Sequence, residues 1–153
     1  MKLNLISKLL FVSMLAIIVN IFTYFSFANV YSAILFNKEV FLEQYTHGVY
    51  QYRFLSTKIV LWLYDFINSL PYQLKMKMYF WDPKTEKNFY LAFFILNTFF
   101  LVLSSIVMVF ITESKKIIAT DLEKLFLIVT AIFIIGITQF IIVPYDCSSY
   151  FFL

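Results

Sequence analysis

Cysteine, histidine and glycine are nearly missing from this chain, which has one Cys, one His and two Gly in 153 residues. A lone cysteine, Cys147, excludes an internal disulfide and any multi-cysteine metal site. With His47 as the one imidazole, a catalytic triad or a structural zinc site would need ligands from another chain. Phosphate-cradling glycine loops, Gly-x-Ser-x-Gly elbows, His-Glu-x-x-His and Cys-x-x-Cys do not occur, nor does an Asn-x-Ser/Thr acceptor. With only Gly48 and Gly136, close glycine packing between helices is not expected. Charge is scarce as well, at 14% of residues with a net +3. The basic residues are spread over connections instead of forming a stripe, which argues against nucleic acid as a partner.

What fills the chain is apolar: 62% of residues, with 20 Phe and 11 Tyr. A water-soluble domain would have to display much of that area to solvent, whereas a lipid-embedded one turns it toward acyl chains without cost. Three stretches carry no charge at all: Leu9 to Asn37, Asn88 to Thr112 and Leu125 to Tyr145. Each meets the roughly 20 residues needed to cross hydrocarbon as a helix, and none shows the alternation of a barrel strand. The expected fold class is therefore all-α, a polytopic membrane protein with three transmembrane helices, over about 9–36, 89–112 and 125–145. The first stretch has a rival reading. Lys2 and Lys8 before an apolar run that reaches Ser26-Phe27-Ala28 imitate a cleaved secretory signal, but the run is longer than such signals use. An uncleaved anchor is expected.

Between the first two stretches, Phe41, Tyr45, Val49, Tyr52, Leu55, Ile59, Leu63, Phe66 and Leu70 recur at three- and four-residue steps. Glu39, Glu43, His47, Gln51, Lys58, Asp65 and Asn68 fall mostly off that stripe. The segment reads as one or two amphipathic helices, hinged near Gly48 and ended by Pro71, lying in the headgroup plane with the aromatic side down. A fourth crossing helix over Phe54 to Tyr72 is the alternative. Lys58 and Asp65 oppose it, at about 2.5–3.5 kcal/mol each at a helix centre, unless they pair. The following "YQLKMKMYFWDPKTEKN" mixes lysines with aromatic residues, as a juxtamembrane landing does.

Smaller signals concern packing. Thr120 and Glu123 have the spacing of a capping box that opens the third helix. Ser13 with Asn20, and Asn97 with Ser104, sit seven apart on their helices, so these polar faces are expected to meet each other or another subunit. Orientation is contested. Lys2 and Lys8 favour a cytoplasmic amino terminus, whereas the first connection holds seven of the twelve basic residues and favours the reverse. The cytoplasmic start is adopted.

Chemistry, if present, has one plausible home. Glu39 and Glu43 stand one helical turn apart and share a face, suited to a general base or a cation site. Arg53 falls on roughly the same side and suits a phosphate or carboxylate. Tyr45 and Tyr52 flank the group. The competing reading is a solvated polar face on an interfacial helix, and it is the commoner use of two acids at this spacing. His47 reads as an interfacial polar residue and Cys147 as an unreactive thiol, since no basic group near it in sequence would lower its pKa. No cofactor or metal is expected.

At "GVYQYRFLS", Gly48 to Ser56, the chain resembles a segment after the first span of some bacterial polytopic membrane proteins, similar to C-type-fold glycosyltransferases that use polyprenyl-phosphate sugars. That resemblance implies a long extracytoplasmic first loop with membrane-lying helices and a functional acid soon after span one, where Glu39 and Glu43 stand. It also implies a polyprenyl-phosphate lipid as partner and the bacterial cytoplasmic (inner) membrane as location. The superfamily's acid is typically Asp, and eight or more spans are usual there. The closing "VPYDCSSYFFL" begins a fresh apolar run, so the chain is expected to be the amino-terminal part of a larger transferase-like protein. The alternative is a non-catalytic accessory subunit of a membrane complex, packing against other membrane subunits. A small transporter is weaker, because only Gly136 lies well inside an apolar run to break a helix.

Overall fold

The computed structural model describes residues 4–28, 36–47, 54–70, 80, 83–114 and 120–142. Every regular element among them is helical: α1 (Leu5–Phe22), continued by a π turn (Thr23–Ala28), then α2 (Lys38–His47), α3 (Phe54–Ser69), α4 (Lys87–Thr112) and α5 (Asp121–Ile142). Two helices are long and apolar enough to cross a membrane, Leu5–Ser26 and Lys87–Thr112. That is fewer than the three or four expected. The third expected span lies within α5, whose first turn carries Asp121, Glu123 and Lys124, and its residues 143–145 lie outside the described set. The first expected span shifts as well. Its helix starts at Leu5, which brings Lys8 inside it, and 29–35 lie outside the description.

Contacts fix the helix directions. Lys8 of α1 meets Glu113 just past α4, while Asn20 of α1 meets Thr98 nearer the start of α4, so these two helices are antiparallel. Lys8 also meets Asp121 at the start of α5, and Val19 meets Gly136 further along it, so α1 and α5 run side by side in the same sense. Helical spacing explains which residues go inside. Val12, Ala16 and Val19 of α1, Phe89, Phe93, Leu96 and Phe100 of α4, and Ile128 and Ile132 of α5 repeat at three and four and form one core with Tyr24.

Glycine does take part in this packing, contrary to expectation. A Cβ placed on Gly136 would stand 2.6 Å from Val19 Cγ1, so α1 and α5 approach as closely as they do because position 136 has no side chain. No Gly-x-x-x-Gly pattern is needed for one such contact.

The stripe between the first two spans divides into α2 and α3 as foreseen, with the expected hinge at Gly48 outside the described residues. On α3, however, Leu55 and Phe66 of that stripe face outward beside Trp62, as does Leu70 just past the helix. The inward side is made by Ser56, Thr57 and Val60, with Tyr64 against Phe89 of α4. The stripe is thus divided, Phe41, Ile59 and Leu63 packing on the core while Leu55, Phe66 and Leu70 face away, because α3 also has a mixed face that fits the aromatic start of α4.

Candidate functional site

The residues singled out for chemistry sit on and after α2. Asn37 caps this helix, its Oδ1 accepting the backbone N–H of Glu39 at 3.0 Å and of Val40 at 3.3 Å. Glu39 and Glu43 are both exposed and lie one turn apart. Arg53, Tyr52 and Gly48 lie outside the described residues, as does Cys147; α2 includes Tyr45 and His47, whose side chains are not described. The two acids are brought onto one face, and nothing described joins Arg53 to them. Among the described residues, no group of three or more His, Cys, Asp or Glu side chains is placed to hold a metal ion.

Beside them is a cluster that sequence reasoning missed. The Glu86 carboxylate accepts the Lys38 backbone N–H at 2.9 Å through one oxygen and the Tyr64 hydroxyl at 2.6 Å through the other. Its own backbone N–H donates to the Phe36 carbonyl at 2.8 Å. The Lys38 ammonium reaches Asp65 at 3.2 Å and lies 4.8 Å from the centre of the Tyr64 ring. Asn37 Nδ2 donates to the Lys84 carbonyl, and Asn88 Nδ2 donates to Asn68 Oδ1. So Glu86, which opens α4, also caps α2 and holds α3. The bond to Glu86, and after it burial, push the Tyr64 phenol above its ordinary range. Asp65, expected to lean on Lys58 if α3 crossed the bilayer, is paired with Lys38. That pair is exposed and contributes under about 1 kcal/mol.

A second cluster closes the opposite end of the bundle. Lys8, only 6% exposed, donates to Glu113 at 2.8 Å and to Asp121 at 2.7 Å, with Lys124 3.8 Å from Glu113. A signal for it was present in the sequence. Two antiparallel helices put the amino terminus and the connection after the second expected span at one end, where Lys8 and the acids flanking that connection can meet. The capping box forms as expected: Glu123 Oε2 accepts the Thr120 backbone N–H at 2.7 Å, and Thr120 Oγ1 accepts the Glu123 N–H at 3.3 Å. The Thr120 backbone N–H, then its hydroxyl, hold the Glu123 carboxyl below its usual range.

Between the two ends lies a neutral network. Asn20 Nδ2 donates to Thr98 Oγ1 at 2.7 Å, and Thr98 in turn donates to the Phe94 carbonyl. Asn97 Nδ2 donates to the Tyr24 hydroxyl, and the Tyr90 hydroxyl donates to the Tyr24 carbonyl. Asn20 and Asn97 each bond across the contact between the first helix and α4, but to Thr98 and Tyr24, and no bond described joins the face of Ser13 and Asn20 to that of Asn97 and Ser104 as expected. Asn20 Oδ1 and Ser104 Oγ are buried without a hydrogen-bond partner among the described residues, a cost of about 1–3 kcal/mol each.

Comparison of the chain with protein-family models, with curated proteins and with solved structures finds no match.

Proposed function

We propose that the chain is a multi-pass integral membrane protein in which α1, α4 and α5 cross the bilayer and α2 and α3 lie at one surface. The observation that carries this reading is the sorting of charge along the bundle. Lys8, Glu113, Asp121 and Lys124 gather at one end, and Lys38, Asp65 and Glu86 at the other. The 26 residues of α4 between them span roughly 39 Å at about 1.5 Å per residue, enough for about 30 Å of hydrocarbon. Around that middle, Leu10, Met14, Ile18 and Phe22 of α1, Phe99 and Phe110 of α4, and Phe126, Phe133 and Ile137 of α5 face outward. Lipid accepts such a surface and water does not. Retention of α1, as opposed to cleavage, is supported by its gift of Val12, Ala16 and Val19, with Tyr24 of the turn that follows, to the common core. The test is extraction: the full chain is expected to stay with membranes through alkaline carbonate and to need detergent. Release by carbonate, or monodisperse behaviour in plain buffer, overturns the reading.

For α3, the interfacial placement is favoured over a fourth crossing by the outward stacked pair Trp62 and Phe66, 5.7 Å apart, beside Asp65 and Asn68. Trp81→Phe leaves Trp62 as the one indole. Its fluorescence should be quenched by labels near the headgroups; stronger quenching from labels at the acyl midpoint would indicate a crossing.

The activity supported best is that of a non-catalytic packing subunit of a membrane complex. Glu86, Lys8, Asn20 and Asn97 are all used between helices of the chain itself. Co-purification of a stoichiometric membrane partner under mild detergent, lost when that partner is deleted, is the expected result. A second reading has its own support. Glu39 and Glu43 are exposed one turn apart at the proposed surface, in keeping with an acid pair acting on a polyprenyl-phosphate sugar in the bacterial inner membrane. Glu39→Gln, Glu43→Gln and Arg53→Ala together should then abolish product in a glycolipid assay, and unchanged product removes this reading.

A further inference from the structure

The π turn over Thr23–Ala28 interrupts regular α-helical bonding at the end of α1. Such turns hold one extra residue, and isolated helices do not favour them, so something outside the turn must select this register. The immediate surroundings name the candidate. The Thr23 N–H is shared between the Asn20 and Val19 carbonyls, and the Thr23 hydroxyl donates to the Val19 carbonyl at 2.8 Å. One residue on, the Tyr24 carbonyl accepts from outside the helix, from the Tyr90 hydroxyl of α4, while the Tyr24 hydroxyl accepts from Asn97. Tyr24 and Asn97 are wholly buried, and Tyr90 nearly so. The turn is therefore held by its backbone through Tyr90 and by its side chain through Asn97.

Tyr90 also reaches the start of α2. Its ring meets Phe36 edge-on at 4.7 Å between centres, as well as Tyr24 at 5.4 Å. Phe36 accepts the Glu86 N–H and is followed directly by Asn37, the cap of the helix that bears Glu39 and Glu43. One side chain thus touches both the register of the turn and the entry to α2.

We infer that Tyr90 is a latch: its hydrogen bond to the Tyr24 carbonyl selects the π register at the end of α1. Loss of that bond returns the segment to α-helical bonding and expels the extra residue. The last residues of the turn, Ser26 among them, then rotate by up to about 100° and move by about 1.5 Å along the axis relative to α4. The inference needs the helix bundle alone and stands whether or not the bilayer reading does.

The experiment is a distance measurement between spin labels at Ser26→Cys and Phe110→Cys, both exposed, in a Cys147→Ser chain purified in detergent. Tyr90→Phe removes the hydroxyl and keeps the ring, so the bundle should persist, with circular dichroism and thermal unfolding confirming it. The expected result is a second, resolved distance population in Tyr90→Phe. Tyr24→Phe supplies the contrast, since it loses the bond from Asn97 but keeps the carbonyl that Tyr90 holds, and it should give the single parental population. An unchanged distribution in folded Tyr90→Phe overturns the latch. So does an equal shift in Tyr24→Phe, which would assign control of the register to the Asn97 bond.

Discussion

The end of the bundle at Lys8 and the middle at Tyr24 solve the same problem with different chemistry. Both join α1 to α4 through polar groups inside an otherwise apolar interface. At the end, an ammonium meets two carboxylates that are 33% and 25% exposed, so water shares the cost of keeping them ionised. In the middle, the groups named above are amides and hydroxyls, which need no counter-charge. Exposure sorts the two, ions where water reaches and neutral donors where it does not.

The sharpest way to break this comparison is to remove the ion at the end. Lys8→Ala leaves Glu113 and Asp121 facing one another and, with both partly hydrated, should cost about 2–3 kcal/mol, read from unfolding in a denaturing-detergent titration. Asp121→Asn in the Lys8→Ala background should recover part of that loss. Next in size is the close approach beside the neutral network. Gly136→Ala drives a Cβ into Val19 and should cost about 1–3 kcal/mol in the same titration. Val19→Ala in that variant should restore much of it, and a strictly additive pair would show that the contact is not shared.

The middle should be far more tolerant. Asn20→Leu removes the bond to Thr98 and a long one to the Phe94 carbonyl, together with the buried Oδ1 that has none, and Thr98 keeps its own bond to the Phe94 carbonyl. A change within about 1 kcal/mol is expected. A loss as large as that of Lys8→Ala would end the distinction between the two regions.

Smallest are the pH effects at the surfaces. The Glu123 carboxyl is held below its usual range, so its contribution is present above the ordinary carboxylate pKa and is lost as pH falls through the lowered value. Glu123→Ala should flatten the acid limb of stability. The Tyr64 phenol is raised, so its contribution is present below the ordinary phenol range and is lost as pH rises through the higher value. Tyr64→Phe should flatten the alkaline limb, and an unchanged limb in either variant would remove that group from the account.

Helices were legible in the sequence because a charge-free run long enough to span hydrocarbon leaves the backbone no other way to satisfy itself. The capping box was legible because both its partners lie within four residues. Asn20 and Asn97 were legible as glue, since an isolated amide in an apolar run has to find a partner. Glu86 was not, because its three attachments come from residues 36, 38 and 64, and only the folded chain brings them together. The outward turn of Leu55 and Phe66 was also hidden. Periodicity identifies an apolar face without saying whether protein or lipid covers it. Gly136 escaped because motif reasoning looks for paired glycines, while one suffices where a β-branched side chain such as Val19 stands opposite.

The Lys8 clasp also sets an order of events during synthesis. Its acidic partners follow it by 105 and 113 residues, so at ordinary translation speeds the ammonium waits roughly 5 to 20 s for the first of them to be made. Until then the amino-terminal end of α1 lacks this tie, although Asn20 and Tyr24 can already reach α4. A ribosome-arrested chain ending before Glu113 is expected to leave Lys8 open to amine-reactive reagents that the finished protein resists, which makes this lysine a clock for the last stage of assembly.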